Sequence, residues 1–316
     1  MGSTTLPNGS QLLRIPANVD PSTGNINHNG DVHIAGDVCD LFEVRATGSI
    51  LINGVIGSAN VHAGGMLRCR GGITGKGKAF CTAATVEARH ISNATVESQG
   101  NLSTQGTIFE SKVYAVGNIV VPGLIAASQV TAAGSLVCRV LGIASGAPTL
   151  VEVGINEFAR RIGTQSLGQI DQYRKKLELV RAAVAPLMQH AKALNPKEKE
   201  RAMELNFEAD ELQANIDKLM EPLKAAAKAQ LAGPPSQLAV AETIHPGVTI
   251  RFPRHETTTT SLFNGKVIIA LRQVGNEFNH QLFVVDQEKG SSIPMPTKPY
   301  DDPAVVALQR LTAAAA

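Results

Sequence analysis

The chain has 316 residues and a formal net charge of +2 at pH 7, so its overall charge indicates neither a nucleic-acid partner nor an anionic membrane surface. It contains no Trp, three Tyr and nine Phe beside 29 Gly. This composition excludes a core built mainly from large aromatic side chains and favours a narrow interior of small aliphatic residues. The sequence has no apolar run of the roughly 18 to 20 residues that a membrane span needs, and its first eleven residues lack the layout of a secretory signal. We therefore expect a cytoplasmic protein.

A repeat follows the N-terminal residues 1–18, which we expect to be flexible. Glycines recur every 17 or 18 residues, with one double interval in which Ala83 takes the place of the missing glycine. A second glycine column and a column of Val-x-small motifs keep the same register. The glycines of the first column are Gly30, Gly48, Gly65, Gly100, Gly117 and Gly134, and the valines of the motifs are Val44, Val61, Val96, Val113 and Val130.

Short runs of alternating apolar residues lie between these glycines, as in Ser49–Asn53. Such runs, bounded by turn residues at fixed offsets, indicate strands separated by tight bends. Stacking the repeats about 4.8 Å apart would pair each backbone with its neighbours and place each Val or Ile over its equivalent. The sequence therefore predicts a mainly β fold with an α insertion. Residues 19–154 form a single-stranded parallel β-helix, a β-solenoid of about seven coils.

The four cysteines are widely spaced and include no CxxC pair, which disfavours a zinc site. Cys69 and Cys138 fall in the same column four coils apart, a separation of roughly 19 Å that a disulfide cannot span. Cys39 and Cys81 fall in other columns, and we expect them to be small core hydrophobes.

Residues 155–233 change to a heptad pattern that predicts two helices of about 35 residues in an antiparallel coiled-coil hairpin roughly 50 Å long. Asn195-Pro196-Lys197-Glu198 carries the signals of a helix start, and Gly233-Pro234-Pro235 ends the second helix. The apolar positions are Ile170, Tyr173, Leu177, Val180, Val184, Leu187, Ala191 and Leu194 in the first helix, and Leu205, Ala209, Leu212, Ile216, Leu219 and Leu223 in the second.

Strand patterns return in residues 238–290, where we expect them to cap or extend the solenoid, because an uncapped end is an open strand edge. Residues 291–316 form a tail rich in proline, with room for a short helix that begins at Asp302 and runs through Leu311.

Five segments of the chain resemble the flagellar assembly protein A (FapA) family over about residues 19–270. They are Val19–Ile26, Gly30–Val38, Arg70–Gly75, Thr149–Gly154 and Ile244–Ile250. The resemblance implies a right-handed solenoid in a cytoplasmic bacterial protein without catalytic residues. It also implies a link to flagellar assembly, to polar placement of flagellar factors and to polymer-forming bactofilin-like solenoids. We expect no counterpart of the family's domain before the solenoid in this sequence.

The segment Gly72-Ile73-Thr74-Gly75-Lys76-Gly77-Lys78-Ala79 is one residue short of a phosphate-binding P-loop. Ala79 replaces the hydroxyl that would bind Mg²⁺, and another coil follows instead of a long helix. We therefore interpret the segment as a bulged solenoid turn. Arg68, Arg70, Lys76 and Lys78 are expected to form a solvated basic patch, with a polyanion contact as the alternative.

The histidines and paired aspartates give no catalytic or metal site. His33, His62 and His90 fall in different columns, and His28 has no acidic or Cys partners arranged around it. Asp31 and Asp37 follow glycines and are explained by turn chemistry. We predict no catalytic, cofactor-binding or metal-binding residues and no cofactor.

Three functions remain open. The first is a non-enzymatic scaffold that binds protein partners, through the heptad surface of the 155–233 hairpin if that surface is not satisfied internally. The second is a filament that self-associates through the solenoid ends. The third is a β-helix carbohydrate-active enzyme, which the short spacing between coils disfavours because such enzymes use long loops. No nucleic acid and no membrane span is predicted.

Overall fold

The computed structural model describes residues 2–5, 11–189, 195–231, 236–274, 280–300, 302, 304, 306 and 307. The chain divides into two compact units, residues 1–157 with 233–300 and residues 158–232 with 301–316. The strands are β1 (Gly2–Thr5), β2 (Gln11–Ile15), β3 (Ile26–His28), β4 (Asp31–Ile34), β5 (Glu43–Ala46), β6 (Ile50–Ile52), β7 (Val55–Ile56), β8 (Asn60–Ala63), β9 (Met66–Cys69), β10 (Gly72–Ala83), β11 (Thr85–Ala88), β12 (Ile91–Ser98), β13 (Leu102–Thr104), β14 (Ile108–Phe109), β15 (Lys112–Ala115), β16 (Ile119–Ala126), β17 (Gln129–Ala132), β18 (Leu136–Leu141), β19 (Thr149–Val153), β20 (Gln237–Ile244), β21 (Val248–Phe252), β22 (His255–Thr258), β23 (Phe263–Asn264), β24 (Val267–Gln273), β25 (His280–Asp286), β26 (Ser292–Pro294) and β27 (Lys298–Pro299). The helices are α1 (Glu157–Gln189) and α2 (Pro196–Leu231).

The first unit is a parallel β-solenoid with three faces, which confirms the predicted fold class. Each face is a ladder in which a residue pairs with its equivalent one coil later, so equivalent apolar residues stack into columns along the interior of each face. The first column is Leu13, Val32, Ile50, Leu67, Val86, Leu102, Ile119, Leu136 and Leu238. The second is Val19, Val38, Ile56, Ile73, Ile91, Ile108, Ile125, Leu141 and Ile244. The third is Ile26, Val44, Val61, Cys81, Val96, Val113, Val130, Val151 and Ile250.

These columns form one continuous core, in which all members except the half-buried Leu13 are buried. Side chains alternate between the core and the outer surface along each strand, because successive residues of a strand point to opposite sides. The core consists of stacked aliphatic side chains and Cys, as the composition predicts, and Phe252 is its one fully buried aromatic residue among the described residues.

The solenoid begins earlier than the sequence suggested. Strand β2 lies within the segment 1–18 that was expected to be flexible, and it pairs in parallel with β4, with Ile15 opposite Ile34. Ile15 is buried, so this strand is held by the same apolar stacking as later coils. Strand β1 pairs antiparallel with β2. Met1 and residues 6–10 lie outside the described residues.

One position in the glycine column was assigned wrongly. The structure places Ala84, and not Ala83, between Gly65 and Gly100, because the Ala84 N–H donates to the Gly65 carbonyl at 2.9 Å. Ala83 belongs to the end of β10 and pairs with Ser98. A bulge between Thr74 and Ala79 lengthens this coil, which moves the glycine position along the chain.

The cysteines agree with the predicted columns in three of four cases. Cys69, Cys81 and Cys138 are buried, and Cys69 and Cys138 lie in the same column of the first face four coils apart, as predicted, opposite Ile52 and Val121 of their preceding coils. Cys39 is only half-buried, so its prediction as a core residue was wrong. It directly follows Val38, the residue of the second column, and therefore points away from the core.

The second unit contains the helical hairpin. Its seam buries residues that recur at threes and fours, namely Ile170, Leu177, Val180 and Val184 from α1 and Leu205, Leu212, Ile216 and Leu223 from α2. The start of α2 is a capping box: the Glu198 N–H donates to Asn195 Oδ1 and the Asn195 N–H donates to Glu198 Oε2, each at 2.8 Å. The predicted seam residues Ala191 and Leu194, and the predicted helix end at Gly233–Pro235, lie outside the described residues.

After the helices the chain first extends the solenoid and then covers its end. Strands β20 and β21 pair in parallel with β18 and β19 and so add one further coil. Strands β23 and β24 then pair antiparallel with β20, and β22 pairs antiparallel with β21. In the tail, the Val306 N–H donates to the Asp302 carbonyl at 2.9 Å, as in a helical turn. Leu308–Ala316, which include the rest of the short helix expected there, lie outside the described residues.

Candidate functional site

The P-loop-like segment is a bulge on the outside of the solenoid, as predicted. Lys76 and Gly77 adopt φ angles of 46° and 79°, and the ladder between β10 and β12 is interrupted around them. Lys76 Nζ lies 3.0 Å from Asp40 Oδ2. The Asp40 carboxylate also accepts a hydrogen bond from the Ser58 N–H, and this bond and the Lys76 ammonium lower the pKa of Asp40. Strand β10 continues after the bulge as far as Ala83, so the helix that a P-loop needs does not follow. Lys76, the first lysine of the segment, already pairs with a carboxylate.

The four basic residues near this bulge are all exposed. Arg68 lies on the outer side of β9 and binds the Glu87 carboxylate at 2.6 Å. Arg70 and Arg89 line a groove beside this pair, with a volume of about 320 Å³. Two of the four predicted basic residues, Arg68 and Lys76, thus have an acidic partner. This mixture of charges favours a solvated surface patch over a binding site for a polyanion.

His28, His33 and His62 each make a separate polar contact. A His28 ring nitrogen lies 3.1 Å from the Gln11 carbonyl oxygen, and a His33 ring nitrogen lies 3.2 Å from the Asn53 amide nitrogen. His62 contacts Thr82 Oγ1 at 3.0 Å, and partial burial lowers the pKa of His62. Within the described part of the chain, no three His, Cys, Asp or Glu residues are grouped so that they could hold a metal ion.

Asp31 and Asp37 hold successive coils in register. Asp31 Oδ1 accepts a hydrogen bond of 2.7 Å from the Ser49 N–H, and Asp37 Oδ1 accepts one of 2.7 Å from the Val55 N–H. The sequence had assigned both residues to their own turns, whereas the structure shows bonds to the following coil. Each carboxylate thus satisfies a backbone N–H of the next coil.

Amide and hydroxyl side chains likewise accept hydrogen bonds from backbone N–H groups of the next coil. Asn101 Oδ1 accepts from the Asn118 N–H, and Asn118 Oδ1 accepts from the Ser135 N–H, each at 2.8 Å. Ser49 Oγ accepts from the Met66 N–H in the same way. The spacing of Asp, Asn and Ser at about one coil length could have revealed this ladder in the sequence.

A buried ion pair that sequence reasoning missed joins the coils on either side of the helical insertion. The Glu152 side chain is fully buried, and Oε1 of its carboxylate lies 3.4 Å from Arg251 Nη1. Thr131 Oγ1 donates a hydrogen bond of 2.7 Å to the other carboxylate oxygen. Arg251 also binds Glu256 at 2.6 Å and lies over the Tyr300 ring, 4.5 Å from its centroid. Through Arg251, these contacts join the last coil before the helices to the coil that follows them.

The carboxylates of Asp31, Asp37 and Glu152 therefore each join one coil to the next. Neither α1 nor α2 contains, in its described residues, a stretch apolar enough to cross a membrane. The first unit is a hydrogen-bonded ladder whose outer side carries polar and some charged side chains, and most exposed side chains of the helices are charged or polar.

The comparison with known proteins agrees with this architecture. Residues 11–276 match the family model described as the Flagellar Assembly Protein A beta solenoid domain. No curated protein and no solved structure gives a significant match. Since the matched region covers most of the 316 residues, the chain belongs to the FapA β-solenoid family.

Proposed function

We propose that this protein is a non-enzymatic cytoplasmic scaffold in flagellar assembly, which positions flagellar factors, including at the cell pole, by binding other proteins. The observation that carries the proposal is the family match over residues 11–276, which includes the solenoid coils on both sides of the helices. A scaffold must keep its shape when partners bind, and stacked coils around a close-packed aliphatic core meet this need.

The way that polar residues are used supports a non-enzymatic role. Asp31, Asp37 and Asp40 accept backbone N–H groups of the next coil, and Glu152 is paired with Arg251. An enzyme of the β-helix type would instead need carboxylates that face a substrate groove without such commitments. The chemistry of these residues thus favours structure over catalysis.

Deletion of the gene in its host tests the flagellar role. We expect cells with absent, fewer or misplaced flagella, seen by electron microscopy and as reduced swimming, and restored by the intact chain. A variant with Arg68, Arg70 and Lys78 replaced by Ser serves as a matched control for the basic patch and should restore flagella as well as the intact chain. Normal flagellar number and position in the deletion strain would contradict the proposal.

Partner capture tests the role of the hairpin. The intact chain and a variant lacking residues 158–232 are used to capture proteins from the host lysate, after circular dichroism has shown that the variant retains its β-sheet signal. We expect flagellar assembly proteins to be captured by the intact chain and lost with the hairpin. Recovery of the same proteins with both would show that the hairpin is not the recognition element.

The filament alternative has less support. Strands β22, β23 and β24 cover the edges of the last coil, so that end is not available for parallel stacking of another solenoid. We expect static light scattering to give a mass that does not grow into long polymers with concentration. Growth without limit would favour the filament.

A further inference from the structure

The outer side of the first solenoid face carries a row of apolar residues in its last five strands. Val120 lies opposite Val137 of the next coil, and Ala239, Ile268 and Val285 take the same outer position in the strands that follow. These five residues form the outer stripe, which is about 19 Å long at 4.8 Å per strand. Val120 and Val137 are each 41% exposed, and the other three residues are half-buried.

The sequence of these strands is typical of a sheet that is covered on both sides. In three earlier coils of the same face, the outer residue between the core residues is His33, Arg68 or Glu87. In the later coils the outer residue is apolar as well, as in Ile119–Val121 and Leu136–Cys138. A strand with one solvated side alternates, whereas a strand buried on both sides has a continuous apolar run. The outer stripe therefore has the composition of a buried surface, although its first two residues are exposed.

The two borders of the outer stripe differ in charge. One border carries Arg139 and Lys266, which are both exposed, and Arg139 lies 3.7 Å from Glu242. The opposite border is uncharged and consists of Asn118, Ser135, Gln237, Ala270 and Phe283. Arg272 lies further out, over the Phe283 ring at 5.8 Å from its centroid. A partner that places uncharged residues opposite the first border is therefore favoured over one that places cations there.

A second copy of this chain meets this condition about a two-fold axis that runs along the stripe. Such an axis keeps each strand level with its equivalent and exchanges the two borders, so Val137 faces Val137 of the other copy. Arg139 then faces the uncharged Ser135. Lys266 likewise faces the uncharged Ala270. An axis across the stripe would instead place Arg139 opposite Lys266 of the other copy. We propose that two copies of this chain associate through their outer stripes about the first axis.

The size of the outer stripe predicts a weak and closed association. A strip about 19 Å by 10 Å is much smaller than the roughly 800 Å² that each partner buries in a standard interface. Packed sheets cross at about 30°, so Arg68 and Glu87 of the earlier coils do not face their own equivalents directly. We therefore expect a dissociation constant on the order of 100 µM. Because a two-fold contact closes on itself, the product is a dimer and does not grow into a filament.

Sedimentation equilibrium of the full chain, in a concentration series up to about 500 µM, tests the proposal. The expected result is a monomer–dimer equilibrium that about 0.5 M sodium chloride does not weaken, because the contact is apolar. Val137→Lys and Val137→Glu should each dimerise at least tenfold more weakly than the wild type, because like charges then meet at the axis. An equimolar mixture of these two variants should recover the dimer, since Lys then faces Glu.

Val140→Lys is the matched control for this contact. Val140 is a half-buried residue of the same strand, β18, but it precedes the core residue Leu141 and so points outward on the second face. This variant should dimerise as the wild type does, and circular dichroism should show the same β-sheet signal in all variants. A wild-type chain that stays monomeric throughout the series, or a dimer that Val137→Lys does not weaken, would overturn the proposal. A mixture that dimerises no better than either variant alone would overturn it too. Dimerisation is measured on the purified chain, so its failure leaves the proposed flagellar role untouched.

Discussion

Glu152 and Arg251 form an ion pair, at 3.4 Å between Oε1 and Nη1, although 99 positions separate them in the chain. Glu152 belongs to the last coil before the helices and Arg251 to the first coil after them, and the two residues are direct ladder partners. The solenoid therefore resumes in register after the insertion, and the buried Glu152 carboxylate pairs with the Arg251 guanidinium where the two coils meet.

Replacing Arg251 by Met should lower the free energy of unfolding by about 2–4 kcal/mol, because the fully buried Glu152 carboxylate loses its cation. Urea unfolding followed by circular dichroism provides the measurement. Glu256→Gln is the matched control: Glu256 also binds Arg251, but its side chain is partly exposed, so the loss should stay below about 1 kcal/mol. Equal losses in both variants would show that burial of Glu152 is not what makes the pair important.

The sequence was sufficient to predict the solenoid and the hairpin, because both produce regular periods. Valines and glycines recur at one coil length, and the apolar residues of the helices recur at threes and fours. The sequence was insufficient where a single residue departs from the period. The bulge at Lys76 moved the glycine position to Ala84, and Cys39 faces outward because it directly follows the column residue Val38.

The pairing of Glu152 with Arg251 could not be predicted, since it depends on the register with which the chain resumes after the helices. The exposure of Leu179 and Phe207 on the helices was also not predicted. A heptad pattern identifies the seam positions of a helix. Whether an apolar residue outside that pattern is exposed or covered is known only from the structure. The absence of catalytic residues stays a prediction.

Thiol labelling should distinguish Cys39 from the other cysteines. Cys39 is half-buried, whereas burial raises the pKa of the Cys69 and Cys81 thiols and raises that of Cys138 to about 12. Because the thiolate is the reactive form, the native protein should react at one cysteine per chain between pH 7 and 9, and at four in denaturant. Cys39→Ser should remove the native reaction. Fast labelling of Cys138 in the native protein would contradict its burial.

Two glycine-to-alanine substitutions should have opposite effects. A methyl group at Gly71 would overlap the backbone oxygen and carbon of Gly54 in the preceding coil, so Gly71→Ala should destabilise the solenoid by about 1–3 kcal/mol. Gly168 is exposed in α1 and has open space around the position of a methyl group, so Gly168→Ala should stabilise the helix by up to about 1 kcal/mol. Thermal unfolding measures both. A stabilised Gly71→Ala variant would show that adjacent coils can separate at this corner.

The capping box at the start of α2 should contribute measurably to the hairpin. Asn195→Ala removes the oxygen that accepts the Glu198 N–H, and it should cost about 1 kcal/mol. Asn195→Asp keeps an acceptor and should cost much less. The measurement is the thermal midpoint of the circular dichroism signal at the helical minimum. Equal midpoints for the two variants would mean that the bond does not stabilise the helix.

The position of the helices between two paired coils has a consequence for synthesis on the ribosome. Strands β18 and β19 are complete when Val153 has been made, but their partners β20 and β21 begin only at Gln237. At usual elongation rates the intervening residues take on the order of 10 s to translate. Throughout that interval the nascent chain exposes two unpaired strand edges, which any other extended polypeptide nearby can join.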